Sequence, residues 1–295
     1  NPEIVASDSD KGGLTSTQSN GGVWVAPTYR KIDNSGLSAD GMDYGNEVEL
    51  NGITAGAGFR VSSNVEVGAA VSAGKADVTS NGMAAGVSNE AKYFGGAVYA
   101  RSEHGPVTIA GDVSYTKADN DLTAQTALGA ARASVDSEAL SAGLTASYAI
   151  KAGSVDITPH AGVRFTRLET SDHEVAVSSN QTAKISGDTQ NLISVPVGVS
   201  VSRNIKQGTW NIKPSLDLTV TANAGDKNTS SEVKWEGVKN MTTNLSTQVV
   251  DDVTAGVKAG VSVRNGGFAA GAAVTYKTSD TSDDLAVEAN ARYDY

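Results

Sequence analysis

The sequence predicts an all-β protein: a 12-stranded antiparallel transmembrane β-barrel with a short N-terminal segment, possible as a helix, lying in the pore. Three observations carry that expectation. First, the stretch from Leu285 to Tyr295 places Leu285, Val287, Ala289, Ala291, Tyr293 and Tyr295 on one face, and Glu288, Asn290, Arg292 and Asp294 on the other. One face in lipid and one in a wet lumen produces this alternation. Second, such segments recur, and the gaps between them alternate between short and long. Third, the 295 residues include 32 Gly, only 6 Pro and no Cys. Mean hydropathy is −0.23, and no run approaches the roughly 18 apolar residues of a membrane helix. That excludes a helical membrane protein but not a barrel, because alternation halves the average hydropathy.

The elements follow in order. Residues 1–20 lack strand alternation. Asn1-Pro2-Glu3 offers an N-capping side chain, a proline at the first helical position and an acid in the first turn, and Gly12-Gly13 would end a helix. They are read as a linker or plug segment, with residues 21–295 as the barrel domain. A first strand is expected at 22–32, then a loop to 45. Strands at 46–61 and 64–78 are joined at Ser62-Ser63, with a loop at 79–87. Strands at 89–102 and 106–118 are joined at His104-Gly105, with a loop at 119–136. Strands at 137–150 and 154–168 meet at Lys151-Ala152-Gly153, with a long loop at 169–190. Strands at 191–205 and 209–223 meet at Lys206-Gln207-Gly208, with a loop at 224–246 that reads as a plain exposed loop or a hairpin. Strands at 247–264 and 268–278 meet at Asn265-Gly266-Gly267, and a last strand runs 284–295. Short Gly/Asn turns at one end and long polar loops at the other are the outer-membrane pattern. Segments of this length with lone charges mid-strand exceed the strands of about five or six residues typical of a soluble sandwich.

Parity assigns faces. In the segment 154–168, Val155, Ile157, Ala161, Val163 and Phe165 oppose Asp156, Thr158, His160, Gly162 and Arg164. In the two that follow, Val195, Val197 and Val199 oppose Gly198 and Ser200, and Leu216, Leu218 and Val220 oppose Lys213, Asp217 and Thr219. The adjacent Tyr93 and Phe94 leave the segment 89–102 ambiguous. The lumen face collects Gly56, Gly68, Gly96, Gly162, Gly198 and Gly260 with Arg164, Lys213, Lys258, Glu288 and Arg292, which are read as pore-lining. Glycine marks either close approach of another backbone, here a helix-wide plug, or barrel curvature. Phe59, Tyr99, Tyr148, Trp210 and Phe268 near the short turns, and Tyr29, Tyr115, Phe165 and Tyr276 near the long loops, read as two interfacial girdles.

The net charge of −10 makes nucleic acid an unsuitable partner. Acids such as Asp33, Asp119, Asp172, Asp226 and Asp283 fall in expected loops, where solvation accounts for them. The absence of Cys suits a chain that crosses an oxidising periplasm. No secretory signal is read at the start, and one is expected to have been removed or to lie upstream of this numbering. Neither a metal-ligand spacing among His104, His160 and His173 nor any cofactor motif is present. Asp172-His173 resembles the Asp–His pair of outer-membrane proteases but lacks a matching second acidic pair, so a solvated loop is the expectation.

Gly21-Gly22-Val23-Trp24, the run Gly52 to Phe59, the run Val67 to Asp77 and the closing Ala291-Arg292-Tyr293-Asp294-Tyr295 together resemble the C-terminal translocator domain of monomeric bacterial type V autotransporters. The likeness covers nearly the whole chain from residue 21. It implies a monomeric barrel in the bacterial outer membrane that supports secretion of its own upstream passenger domain to the cell surface. It also implies the barrel-assembly machinery and periplasmic chaperones as partners, with outer-membrane lipid as surroundings. The assembly signal it implies falls on Val287, Ala289, Ala291, Tyr293 and Tyr295; the family usually ends in Phe or Trp where this chain has Tyr295. Some members cut their own linker inside the barrel, an Asn cyclising onto its peptide bond with lumen carboxylates assisting. For that reaction the candidates are Asn1 with Glu66, Asp112, Asp156, Asp217 and Glu288. The plain alternative is that these acids pair with lumen cations or face water. A free-standing outer-membrane channel for small solutes remains the other functional reading.

Overall fold

The computed structural model describes residues 21–39, 42–82, 86–126, 129–178, 181–235, 242–248 and 250–295. Asn1 and the expected plug segment lie outside the described residues. Twelve strands form the wall. They are β1 (Gly21–Ala39), β2 (Met42–Ser62), β3 (Val65–Gly82), β4 (Val87–His104), β5 (Val107–Thr126) and β6 (Gly129–Tyr148). Then come β7 (Val155–Thr170), β8 (Asp188–Ser202), β9 (Trp210–Gly225), β10 (Val253–Asn265), β11 (Phe268–Thr278) and β12 (Ser282–Asp294).

Each strand pairs antiparallel with its neighbours. β12 returns to β1 with Trp24 opposite Arg292 and Tyr29 opposite Val287, which closes the sheet and removes its edges. The closing ladder passes from Val25–Ala291 to Thr28–Glu288 without a rung at Pro27, which has no amide hydrogen to give. At the tight end, Gly105, Gly153, Gly208 and Gly266 have φ of 60, 66, 62 and 59°. That left-handed region strains a side chain, so two-residue connections place glycine there.

The walls extend further than hydropathy indicates. The stretch 119–136, expected as a loop, continues the β5–β6 ladder from Asp119–Asp136 up to Thr126–Gly129. Asp33 and Asp283, assigned to loops, face each other across β1 and β12. The expectation failed because hydropathy registers the lipid boundary, whereas backbone pairing continues into water wherever cross-strand partners allow. The two longest loops carry ribbons of their own. His173–Ser178 pairs with Gln181–Ile185, that strand pairs with Asn228–Trp235, and the latter pairs with Thr242–Gln248. The loop at 224–246 is therefore largely a hairpin.

Burial is inverted relative to a water-soluble domain. Val71, Phe94, Val98, Leu144, Val197, Leu218 and Tyr293 are exposed on the outside, whereas Ser72, Asp112, Ser114, Thr116, Ser200, Ser262 and Arg292 are buried inside. No large side chain among the described residues is fully buried. A continuous apolar exterior of this kind requires lipid, not water, around it.

The structure resolves β4 and corrects two face assignments. Tyr93 is buried and turned inward, while Phe94 is 63% exposed outward. Gly96 pairs with outward-facing Val71, so it lies on the lipid face and not in the lumen. Tyr99 belongs to the inward set: its hydroxyl accepts a hydrogen bond from Trp24 Nε1 at 3.2 Å. The lower girdle therefore consists of Phe59, Tyr148, Trp210 and Phe268, all exposed. Both corrections have one cause. Adjacent aromatics make strand parity degenerate, and only the ladder to β3 breaks the tie.

Candidate functional site: the barrel interior

Two kinds of inner wall face each other. On β1–β4 the interior is built from aromatic rings seated over glycines. Gly52 lies directly opposite Gly74, and Gly58 opposite Gly68. A side chain at Gly52 or Gly74 would collide with the Tyr93 hydroxyl, and one at Gly58 or Gly68 with Tyr99. One at Gly56 would meet the Trp24 ring at 2.5 Å. These glycines are thus covered by neighbouring strands' rings. Elsewhere charge takes the same role. A Cβ at Gly143 would lie 2.6 Å from Arg164, and one at Gly198 2.6 Å from the His160 ring.

The remaining wall is polar and paired. Arg164 donates two hydrogen bonds to Asp112, at 2.9 and 3.2 Å. The Asp112 side chain is 0% exposed, so the guanidinium is what keeps an ionised carboxylate there tolerable. Asp217 contacts His160 Nε2 at 2.7 Å and accepts from the hydroxyls of Ser200 at 2.5 Å and Thr219 at 2.6 Å. Near the tight end, Arg292 donates to Glu66 at 3.2 Å and to Asp294 at 2.6 Å, and Arg264 reaches the other Asp294 oxygen at 2.7 Å. Lys258 and Glu288 meet at 3.4 Å. Towards the loops, Arg30 holds Asp284 at 2.9 and 2.6 Å. Asp156 accepts a long 3.5 Å contact from Asn204.

Each expected site residue can now be placed. Glu66, Asp112, Asp217 and Glu288 lie inward with cationic or hydroxyl partners. Asp156 lies one rung from the tight end, opposite Ser202. Gly56, Gly68, Gly162, Arg164, Gly198, Lys213, Lys258, Gly260 and Arg292 share that inner face by ladder register. Val287, Ala289, Ala291, Tyr293 and Tyr295 share the outer face of the closing strand, and the Tyr295 amide donates to Gly21 O at 3.1 Å. Asn1 lies outside the described residues. Asp172 accepts the Gly187 amide at 2.7 Å, which ties together the two ends of its loop ribbon, and His173 Nδ1 lies 3.2 Å from Ser171 O, a local backbone contact. Among the described residues no cluster of His, Asp or Glu could hold a metal ion.

Sequence reasoning missed Trp24, Tyr93 and Tyr99 as interior residues. The signal that would have found them is glycines paired directly across strands beside an aromatic of the next strand. It exists only once the register is known.

A closed antiparallel barrel with an apolar exterior, a charged interior, tight turns at one end and long ribbons at the other is an outer-membrane β-barrel. The family model described as the autotransporter beta-domain matches residues 23–275. The chain belongs to that family: it is an outer-membrane translocator domain, and its place is the bacterial outer membrane. Solved structures agree in fold. The translocator domain of autotransporter NalP from Neisseria meningitidis is 14% identical, covering 96% of this chain and 91% of that one, with a TM-score of 0.73. The beta domain of the Bordetella autotransporter BrkA is 16% identical, covering 94% and 100%, with a TM-score of 0.66. The transport unit of AIDA-I from Escherichia coli is 13% identical, covering 94% and 91%, with a TM-score of 0.67. Among curated proteins, none matches the chain by sequence.

Proposed function

We propose that the barrel supports secretion of a passenger domain, linked upstream of Gly21, to the cell surface. The observation that carries this reading is where the chain enters the wall. β1 begins at the tight-turn end, beside Phe59 and Asp294, whereas a surface passenger lies beyond the loop end. A linker joining the two must traverse the interior. Twenty residues suffice: as a helix they span about 30 Å, roughly the hydrocarbon thickness. Residues 1–20 are assigned that role. The buried inward atoms Ser72 Oγ and Asn290 Oδ1 have no hydrogen-bond partner among the described residues, and a chain in the lumen would supply polar groups to them.

The test is surface display. A reporter fused ahead of residue 1 should become accessible to external protease in intact cells. A folded, heat-modifiable barrel whose reporter stays protected would overturn the reading. Deleting residues 1–20 should raise single-channel conductance, and an unchanged conductance would remove the linker from the lumen. Insertion is assigned to the barrel-assembly machinery, with periplasmic chaperones delivering the chain and the outward row Val287, Ala289, Ala291, Tyr293 and Tyr295 as the signal. Tyr293→Ala combined with Tyr295→Ala should lower the inserted fraction in cells while leaving refolding into detergent intact.

A further inference from the structure

The outer face carries an ordered succession towards the loop end. Tyr29 precedes Lys31 by two residues, Tyr115 precedes Lys117, Phe165 precedes Arg167, and on the oppositely directed β4 Phe94 follows Lys92. Because side chains two apart share a face, each aromatic has a cation one step outward. Barrel strands tilt by about 35–45°, so positions of equal height drop by about one residue per strand relative to the ladder. Followed from Lys31, that drift leads to Lys75 on β3, Lys92 on β4, Lys117 on β5 and Arg167 on β7. The cations therefore form one belt just beyond the aromatic girdle, at headgroup depth.

Three of the five have carboxylates at hand. Lys31 meets Glu47 at 2.7 Å, Lys117 meets Asp136 at 3.1 Å, and Arg167 meets Glu169 at 2.5 Å. Lys75 and Lys92 differ. They are direct ladder partners, both exposed, and neither has an ion-pair partner among the described residues. Asp119, across from Lys92 on β5, is turned to Lys117 at 4.0 Å. Asp77 and Glu90 form the next rung outward. Like charges directly opposed are unfavourable, and a single anion shared between two ammonium groups reverses the sign.

The surface below the pair is shaped as well. Gly96 lies on the lipid face between Phe94 and Val98, opposite Val71 on β3 and Tyr115 on β5. A Cβ there would meet nothing closer than 3.7 Å. Phe94, Val98 and Val71 are 63, 60 and 55% exposed. They border a shallow notch over Gly96, which lies two same-face positions below Lys92, with Phe94 between them.

We propose that Lys75 and Lys92 grip the phosphate of an anionic lipid in the outer leaflet, whose acyl chain lies in the notch at Gly96. Lys31 and Lys117 extend the cationic shelf to either side. The occupant is a phosphorylated lipid, because the same surface offers an ammonium pair at headgroup height and an apolar slot beneath it.

The experiment measures lipid retention on the detergent-purified barrel by native mass spectrometry, using diphosphorylated lipid A and the same lipid after dephosphorylation. The wild-type barrel should retain the phosphorylated lipid, and K75A combined with K92A should weaken retention roughly tenfold or more. G96L should weaken both lipids, whereas K206A at the tight-turn end should leave retention unchanged. Heat-modifiable mobility checks that each variant is folded. Equal retention by the double variant, or equal retention of the dephosphorylated lipid by the wild type, would overturn the proposal.

Discussion

The two inner walls solve one problem with different physics. On β1–β4, rings of Trp24, Tyr93 and Tyr99 fill the space over Gly52, Gly56, Gly58, Gly68 and Gly74. That wall is held by shape. On β5–β12, Asp112–Arg164, Asp217–His160 and Arg292–Asp294 fill it with charge, and Arg292 also reaches across the seam to Glu66 on β3. That wall is held by pairing. A packed wall should respond to volume and ignore charge state. A paired wall should tolerate volume change and fail when one partner goes.

The largest expected effect tests the paired wall. Arg164→Ala leaves a fully buried Asp112 carboxylate alone and should cost about 3–5 kcal/mol. Asp112→Leu with Arg164→Met, which removes both charges, should cost far less. Urea unfolding in micelles, followed by gel mobility, measures both, and equal losses would show that the pairing is incidental. Next comes the packed wall. Gly52→Ala pushes a methyl into the Tyr93 hydroxyl and should cost about 1–3 kcal/mol. Adding Tyr93→Phe removes the colliding atom and should recover much of the loss; no recovery would mean that the glycine serves backbone curvature instead. A smaller effect separates packing from hydrogen bonding within that wall. Tyr99→Phe keeps the ring but removes the acceptor for Trp24 and should cost about 0.5–1.5 kcal/mol.

The smallest effect lies at the loop-end rim of the paired half. Asp251 accepts hydrogen bonds from the Thr281 amide at 2.9 Å and its hydroxyl at 2.8 Å, and Asn223 donates to the Asp251 carbonyl at 2.9 Å. Burial alone would raise its carboxyl, but the hydroxyls of Ser279 and Thr281 and the Thr281 amide together hold it below the usual carboxylate value. A depressed folded value stabilises the rim above the unfolded value of about 3.9, and that contribution is lost as pH falls through the folded value. The protection factor of the Thr281 amide, taken against its intrinsic exchange rate at the same pH, should therefore fall below about pH 4. Asp251→Asn should abolish that pH dependence; a retained acid transition would place the titrating group elsewhere.

Much of this fold was legible because a membrane wall has period two and each strand repeats it. Lys206-Gln207-Gly208 and Asn265-Gly266-Gly267 marked turns that the structure places there. Where the pattern was locally degenerate, as at Tyr93-Phe94, the reading failed and carried Gly96 to the wrong face. The acids Glu66, Asp112, Asp217 and Glu288 were legible as inward residues, but their partners were not, since Glu66 and Arg292 are 226 positions apart.

The sequence by itself determined the number of wall strands, which end has tight turns and which face of most strands meets lipid. Those properties follow from alternation and glycine turn chemistry, which act over a few neighbouring residues. Only the tertiary structure decided which residues stand opposite one another: Gly52 with Gly74, Lys75 with Lys92, Trp24 with Arg292. Register and closure are global constraints. They are set by every ladder being satisfied at once, so no local stretch of the chain contains them.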